Sequence, residues 1–419
     1  MDLCTSLLMG SAVAAGFYMA WNIGANDVAN SMSTAIGARA LTLKQVIIIA
    51  GILEFAGAVL VGSHVTETIR KGILDNSIIG NPQTVALGAL SALLGASIWI
   101  TLSTWKELPV STTHSVVGGL WGFGLVLWIR TGEDPIQWFT LGRVFMSWIL
   151  SPLAGAFIAF LVFKGITYFI FNSKNPIKST RIYGPVLIGA TFFIISTSLL
   201  TKTNLGRIIL GEQNTFSKAS LLSLPVFAMG YLAGYLVIKY KLGTVESDNY
   251  LERIEGMFRK LQIITSCYVA FAHGANDVAN AIGPVAVVIN YIYYGTVGAT
   301  VEVSPWILSL GGLGIVVGIS TWGYKVMKTV AFKITKLTNT RGFSVDFGAA
   351  TTVLIASKFG MPISTTHTVV GAVVGVGMAR GLEAVNLSVI KDIVYSWAFT
   401  LPVAAGTSAG IYVLLTTFI

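Results

Sequence analysis

The run Gly24-Ala25-Asn26-Asp27-Val28-Ala29-Asn30 returns unchanged as Gly274-Ala275-Asn276-Asp277-Val278-Ala279-Asn280. Both copies interrupt apolar sequence, where an ionisable side chain costs roughly 2.5 to 3.5 kcal/mol on insertion scales, so Asp27 and Asp277 are functional candidates by default. On a helix, Asn26 and Asn30 are i,i+4 neighbours and Asp27 and Asn30 are i,i+3 neighbours, which gathers a carboxylate and two carboxamides on one face. Hard oxygen ligands of this kind suit a small hard cation, with Asp27 and Asp277 as its charged ligands. Gly24 and Ala25, like Gly274 and Ala275, would permit local unwinding that adds free carbonyls to the site. An Asn/Asp ladder that merely bonds helices together is the plainer alternative, but it gives no reason for the same polar run at comparable depth twice.

A second pattern, Pro109-Val110-Ser111-Thr112-Thr113-His114, recurs as Pro362-Ile363-Ser364-Thr365-Thr366-His367. Each run follows a proline that favours a helix start and precedes a helical Val-Val-Gly stretch. Free backbone N–H groups at such a start carry about half a positive charge, and with hydroxyl donors they form a cradle for a phosphate-like anion that needs no Lys or Arg. N-capping explains one hydroxyl per run, whereas Ser111, Thr112, Thr113, Ser364, Thr365 and Thr366 offer three. His114 and His367 end the runs as anion donors, proton relays or packing residues. Glu54 lies in an apolar segment as a further cation ligand or beside a wet cavity. His273 faces Ile23 in the other copy, which argues against a paired role, and His64 reads as a loop residue.

Positioning these groups falls to apolar helices. Of 419 residues, 54% are hydrophobic and 11% charged, against about 25% charged in soluble chains. Stretches long enough for a bilayer core of ~30 Å include Gln45 to Gly62, Val85 to Ser103, Val144 to Phe163, Val186 to Leu200, Leu221 to Ile238 and Trp306 to Tyr324. The segment from Leu3 to Trp21 lacks a basic n-region and reads as a mature helix, not a cleaved signal. The chain is therefore expected to be an all-α, multi-pass protein of the cell membrane, surrounded by lipid. The surplus of 27 Lys and Arg over 18 Asp and Glu sits in short loops, as membrane topology requires and nucleic-acid binding does not. Cys4 and Cys267 have no metal-type spacing, no P-loop is present, and no cofactor is expected.

The repeated motifs divide the chain into a first repeat, 1–165, connecting helices with a cytoplasmic linker, 166–258, and a second repeat, 259–419. A fainter match of Ser147-Trp148 and Pro152 with Ser396-Trp397 and Pro402 extends the duplication. Lys325, Lys328, Lys333, Lys336 and Arg341 crowd one loop without an acid, while its first-copy counterpart pairs Glu67 and Asp75 with Arg70 and Lys71. Conversely, Arg39 and Lys44 follow the first motif where Glu302 follows the second. Equivalent loops thus change sides, the signature of an inverted-topology repeat with the substrate site near the midplane. Around Ala349 to Arg380, the Pro362 break predicts a re-entrant hairpin or a broken crossing.

With both motif pairs quoted, the chain resembles the inorganic phosphate transporter family, whose duplicated signature is Gly-Ala-Asn-Asp-Val-Ala-Asn followed by Pro-x-Ser-Thr-Thr-His. The resemblance covers nearly the whole length. It implies about twelve membrane segments, inverted repeats with discontinuous or re-entrant helices, homodimers, and sodium or proton symport. It makes Asn26, Asp27, Asn30, Asn276, Asp277 and Asn280 the cation-binding polar core and the six hydroxyls the phosphate cradle. Ser31 after the first signature, against Ala281 after the second, and a short central linker are departures that leave the site intact.

The expected activity is symport of phosphate with a cation by alternating access. A phosphate dianion beside Asp27 and Asp277 needs cations in a low-dielectric site, and carboxamide-rich clusters suit sodium better than a proton. Proton-coupled symport is the alternative. An intramembrane hydrolase or a passive anion channel are the rivals from other classes.

Overall fold

The computed structural model describes residues 3–62, 74–75, 79–211, 215–242, 250–296, 303–359 and 363–418. His64, Glu67, Arg70, Lys71, Glu302, Pro362 and the linker residues 243–249 lie outside them. The helices are α1 (Leu3–Asn26), α2 (Val28–Gly37), α3 (Leu43–Val61), α4 (Pro82–Trp105), α5 (Thr112–Thr131), α6 (Trp138–Ile166), α7 (Pro176–Lys202), α8 (Asn204–Leu210), α9 (Phe216–Leu242), α10 (Tyr250–Tyr294), α11 (Pro305–Thr321), α12 (Gly323–Lys328), α13 (Asn339–Lys358), α14 (Thr365–Met378) and α15 (Leu387–Phe418). The protein is an all-α, multi-pass membrane protein. Among the described residues, eight helices are long and apolar enough to cross a bilayer, or nine if the pair 305–321 and 323–333, bent by 58°, is one span. That is fewer than about twelve because α10 and α13 carry polar residues where the site is built, and α14 has only 14 residues.

Local sequence sets the helix starts. Thr42 and Gln45 form a capping box at α3, Asn81 caps α4 ahead of Pro82, and Ser111 and Ser364 cap α5 and α14 by accepting from the His114 and His367 amides. The expected helix start at Pro109 is delayed to Thr112, and residues 106 to 111 form a connecting strap. The basic stretch expected to be a loop from Lys325 is helical through Lys333, continuing past the bend at Trp322. The linker boundary expected at 258 falls within α10, which runs without a break from Tyr250.

The packing is reciprocal. α1 lies on α11 and α10 on α3; α4 and α5 lie on α15, and α13 and α14 on α6. Glycines mark the matching contacts: a Cβ at Gly24 would meet the Ile315 carbonyl oxygen at 1.9 Å, and one at Gly274 the Glu54 carbonyl oxygen at 2.2 Å. Gly318 abuts Trp21 as Gly57 abuts Phe271, and Gly118 abuts Leu401 as Gly371 abuts Pro152. Each copy therefore seats its helices on the other, at backbone-to-backbone distance, as small residues allow in membranes. α7 and α9 pack on one another outside this exchange.

Candidate functional site

The motif helices α1 and α10 meet the starts of α5 and α14 at the centre. In the first copy Asp27 occupies a turn between α1 and α2, with its amide still donating to the Ile23 carbonyl at 2.8 Å. In the second copy Asp277 lies inside unbroken α10. Unwinding at Gly24 and Gly274 is therefore a correction: neither glycine is unwound, because each is needed where two backbones touch.

Thr112 donates to Asp27 Oδ2 at 2.7 Å and Thr366 to Asp27 Oδ1 at 3.3 Å, so one carboxylate is held by hydroxyls from both copies. Asn30 Nδ2 donates to Thr366 at 2.8 Å, and Asn280 Nδ2 donates to Thr112 and Thr113 at 3.2 Å each. The two carboxamides thus cross to the opposite copy's hydroxyls. Their oxygens, Asn30 Oδ1 and Asn280 Oδ1, are buried without a hydrogen-bond partner. An unmatched buried acceptor costs about 1–3 kcal/mol, and a cation would satisfy it. Ser111 and Ser364, by contrast, are committed to their caps.

Asn26 leaves the face it was expected to share. Its amide donates to Thr104 at 2.8 Å and to the Leu108 carbonyl at 3.1 Å, and its oxygen accepts from the Val110 amide at 3.0 Å, which pins the strap ahead of α5. Asn26 is fully buried, whereas Asn276 is exposed and lines a cavity of about 60 Å³ with Asn30, His273 and Thr365. The strap is tied further by Trp397, which donates to the Pro109 carbonyl at 3.0 Å, and by an exposed Glu107–Lys333 ion pair. The Lys333 ammonium, hydrogen-bonded to Glu107, holds that carboxyl below its usual range.

Two functional candidates are new. His273 Nε2 lies 2.8 Å from Asp277 Oδ2 and its Nδ1 3.1 Å from Glu54 Oε2, with Ser31 donating to Glu54 at 3.2 Å. Glu54 is therefore buried against His273, whose role has no counterpart in the first copy, where Ile23 stands. Asp27, His273 and Asp277 together place one donor atom each within 4.8 Å of one another, a set able to hold a cation. The i,i+4 spacing of His273 and Asp277 was the available signal. Asp346 of α13 accepts from Thr34 at 2.8 Å and Ser266 at 2.7 Å, tying α2 and α10 together. Being the lone acid of that helix was its only sequence signal. His114 and His367 pack edge to face, 4.9 Å between ring centres, with His367 stacked on Trp397 at 3.8 Å, so both join an aromatic cluster behind the cradles.

Comparison with known proteins gives this geometry its context. The pattern of the phosphate transporter family matches residues 23–408. A protein of Pyrococcus abyssi named "Putative phosphate permease" is 51% identical over 415 residues, covering 99% of each chain. The chloroplastic inorganic phosphate transporter 2-1 of Arabidopsis thaliana is 41% identical over 434 residues, covering 99% of this chain and 73% of its own. A solved structure described as the sodium-dependent phosphate transporter superposes with a TM-score of 0.86 at 47% identity, covering 99% of this chain and 100% of the other. The chain belongs to the phosphate transporter family, a family of membrane transporters and not of enzymes.

Proposed function

We propose that the chain carries inorganic phosphate together with sodium across the cell membrane by alternating access. The observation that carries this reading is the pair of buried, unmatched oxygens Asn30 Oδ1 and Asn280 Oδ1 beside Asp27 and Asp277. These are hard ligands of the type sodium takes. Thr113 and Thr365 are the hydroxyls only partly buried, and at the starts of α5 and α14 they and the free amides would hold the anion. Sodium would neutralise the carboxylates before phosphate arrives, and by linkage phosphate would tighten sodium binding by the same factor. The two repeats, 1–165 and 259–419, would rock about this centre. A homodimer in the lipid bilayer is part of the same reading, checked by crosslinking of the purified protein.

The test is uptake of radiolabelled phosphate into proteoliposomes under an inward sodium gradient, an inward proton gradient, or neither. Sodium-driven accumulation is expected, and no uptake under any gradient would sink the proposal. Proton coupling has one observation in its favour, the His273 bridge between Glu54 and Asp277. Uptake driven by protons alone, and lost in His273→Gln, would move the reading there.

A further inference from the structure

The short connection between Lys333 and α13 is fastened to the one that follows α14. Thr335 donates to the Ala384 carbonyl at 2.8 Å, and the Asn386 amide donates to the Ile334 carbonyl at 2.9 Å. Held this way, the chain presents the Lys336 carbonyl to two guanidiniums. Arg341 Nη1, from the first turn of α13, donates to it at 3.1 Å. Arg380 Nη1, just beyond α14, lies 3.5 Å from the same oxygen and 3.5 Å from Thr335 Oγ1. The Arg341 guanidinium also sits 6.0 Å from the centre of the Phe163 ring of α6. The ends of α6, α13 and α14 therefore meet around two arginines.

Among the described residues, no carboxylate forms an ion pair with either guanidinium. Glu255, the acid that reaches this end of α13, spends its oxygens on the Thr338 and Thr340 hydroxyls and the Thr340 amide. A guanidinium has five N–H donors, and one shared neutral carbonyl occupies few of them, so most remain for an anion with several oxygens. Apolar surface adjoins these donors: Met378 and Leu382, which bracket Arg380, are 46% and 66% exposed. The loop-charge bias sets this end of the helices at the cytoplasmic leaflet, where basic pockets between helices hold anionic headgroups. We propose that Arg341 and Arg380, with the exposed Lys336 beside them, seat the phosphodiester of an anionic phospholipid from that leaflet. The apolar margin of Met378 and Leu382 selects a lipid over free phosphate, because it offers its chains a surface that the bare anion cannot use. α14 starts at the hydroxyls Thr365 and Thr366 and ends beside Arg380, so a bound lipid fixes the far end of a cradle helix.

The experiment titrates the purified full chain in detergent with phosphatidylglycerol, or with zwitterionic phosphatidylcholine, and reads bound lipid by native mass spectrometry. Phosphatidylglycerol should bind the parent chain more tightly than phosphatidylcholine does. Arg341→Gln with Arg380→Gln is expected to weaken phosphatidylglycerol binding about 25-fold, roughly fivefold for each arginine, and to leave phosphatidylcholine binding unchanged. Lys44→Gln with Lys178→Gln removes the same charge from exposed lysines elsewhere and should leave phosphatidylglycerol binding near that of the parent. Inorganic phosphate in excess should not displace the lipid. Arg380→Gln alone, at an exposed position, should still show about a fivefold loss if the double variant does not fold. Equal weakening by the two double variants would reduce the seat to diffuse attraction, and displacement by inorganic phosphate would make it a site for the free anion. Either result, or a parent chain that binds both lipids alike, overturns the assignment.

Discussion

Seven identical residues, Gly24 to Asn30 and Gly274 to Asn280, end in two different environments. Around the first motif the helix turns at Asp27, Asn26 is sealed against Thr104, Leu108 and Val110, and the apolar neighbours are Ile23 of the first copy and Ile315 of the second. Around the second motif the helix runs on, Asn276 opens into a cavity, and the equivalent positions hold His273 of the second copy and Glu54 of the first. The motif supplies the chemistry and its surroundings decide access. The duplicated motif is thus shut in on one copy and reaches a cavity on the other.

The largest expected effect comes from removing either motif carboxylate. Asp27→Asn and Asp277→Asn should each lower phosphate uptake by about 100-fold or more, since a charged hydrogen-bonded group is worth roughly 1.5–3 kcal/mol and a lost cation adds to that. Near-normal uptake in one variant alone would show that the copies do not share the task. Next comes the buried pair Glu54–His273, which joins the two copies beside the second motif. Glu54→Gln should lower stability by about 1–3 kcal/mol by removing one of the two carboxylates that hold His273, whereas Glu54→Ile with His273→Ile, which gives the second motif the neighbours of the first, should cost less. Thermal unfolding in detergent measures both, and equal losses would mean that the two residues do not act as a pair.

The glycine contacts offer a smaller and more symmetric comparison. Gly24→Ala and Gly274→Ala both place a methyl against a carbonyl of the other copy and should each cost roughly 1–3 kcal/mol. Gly256→Ala, which meets nothing within 4 Å, is the control and should be neutral or slightly stabilising. The least effect belongs to Glu107 and Lys333, whose exposed pair is worth about 0.2–1 kcal/mol. Because Lys333 depresses the Glu107 carboxyl, the contribution is present above the ordinary carboxylate pKa and fades as pH falls through the lowered value. Glu107→Gln should erase that acid dependence, and high salt should weaken it in the parent chain.

Much of this was legible in the sequence. Apolar length announced the spans, and the repeated Asn-Asp and Ser-Thr-Thr runs named the residues that meet at the centre. What stayed hidden was the partner of each. Thr366 and Asn30, or Glu54 and His273, are hundreds of residues apart, and no local periodicity records a contact made between copies. Asn26 shows the limit well: helical spacing placed it beside Asp27, yet the strap's free backbone groups at Leu108 and Val110 claim its carboxamide. Gly24 was read for the freedom it gives a backbone, whereas its missing side chain serves a neighbouring helix.

The reciprocal seating of the helices also bears on how the chain is made. α1 emerges early in synthesis, yet the surface it lies on, around Ile315, is translated most of a chain length later. At about 5–20 residues per second the interval is on the order of tens of seconds. During it Asp27 and Asn30 lack Thr366, their hydroxyl partner from the second copy, and the covering helix. The insertion machinery must therefore accept a polar helix before its fold exists, and neither half of this protein has a finished folded form of its own to offer in the meantime.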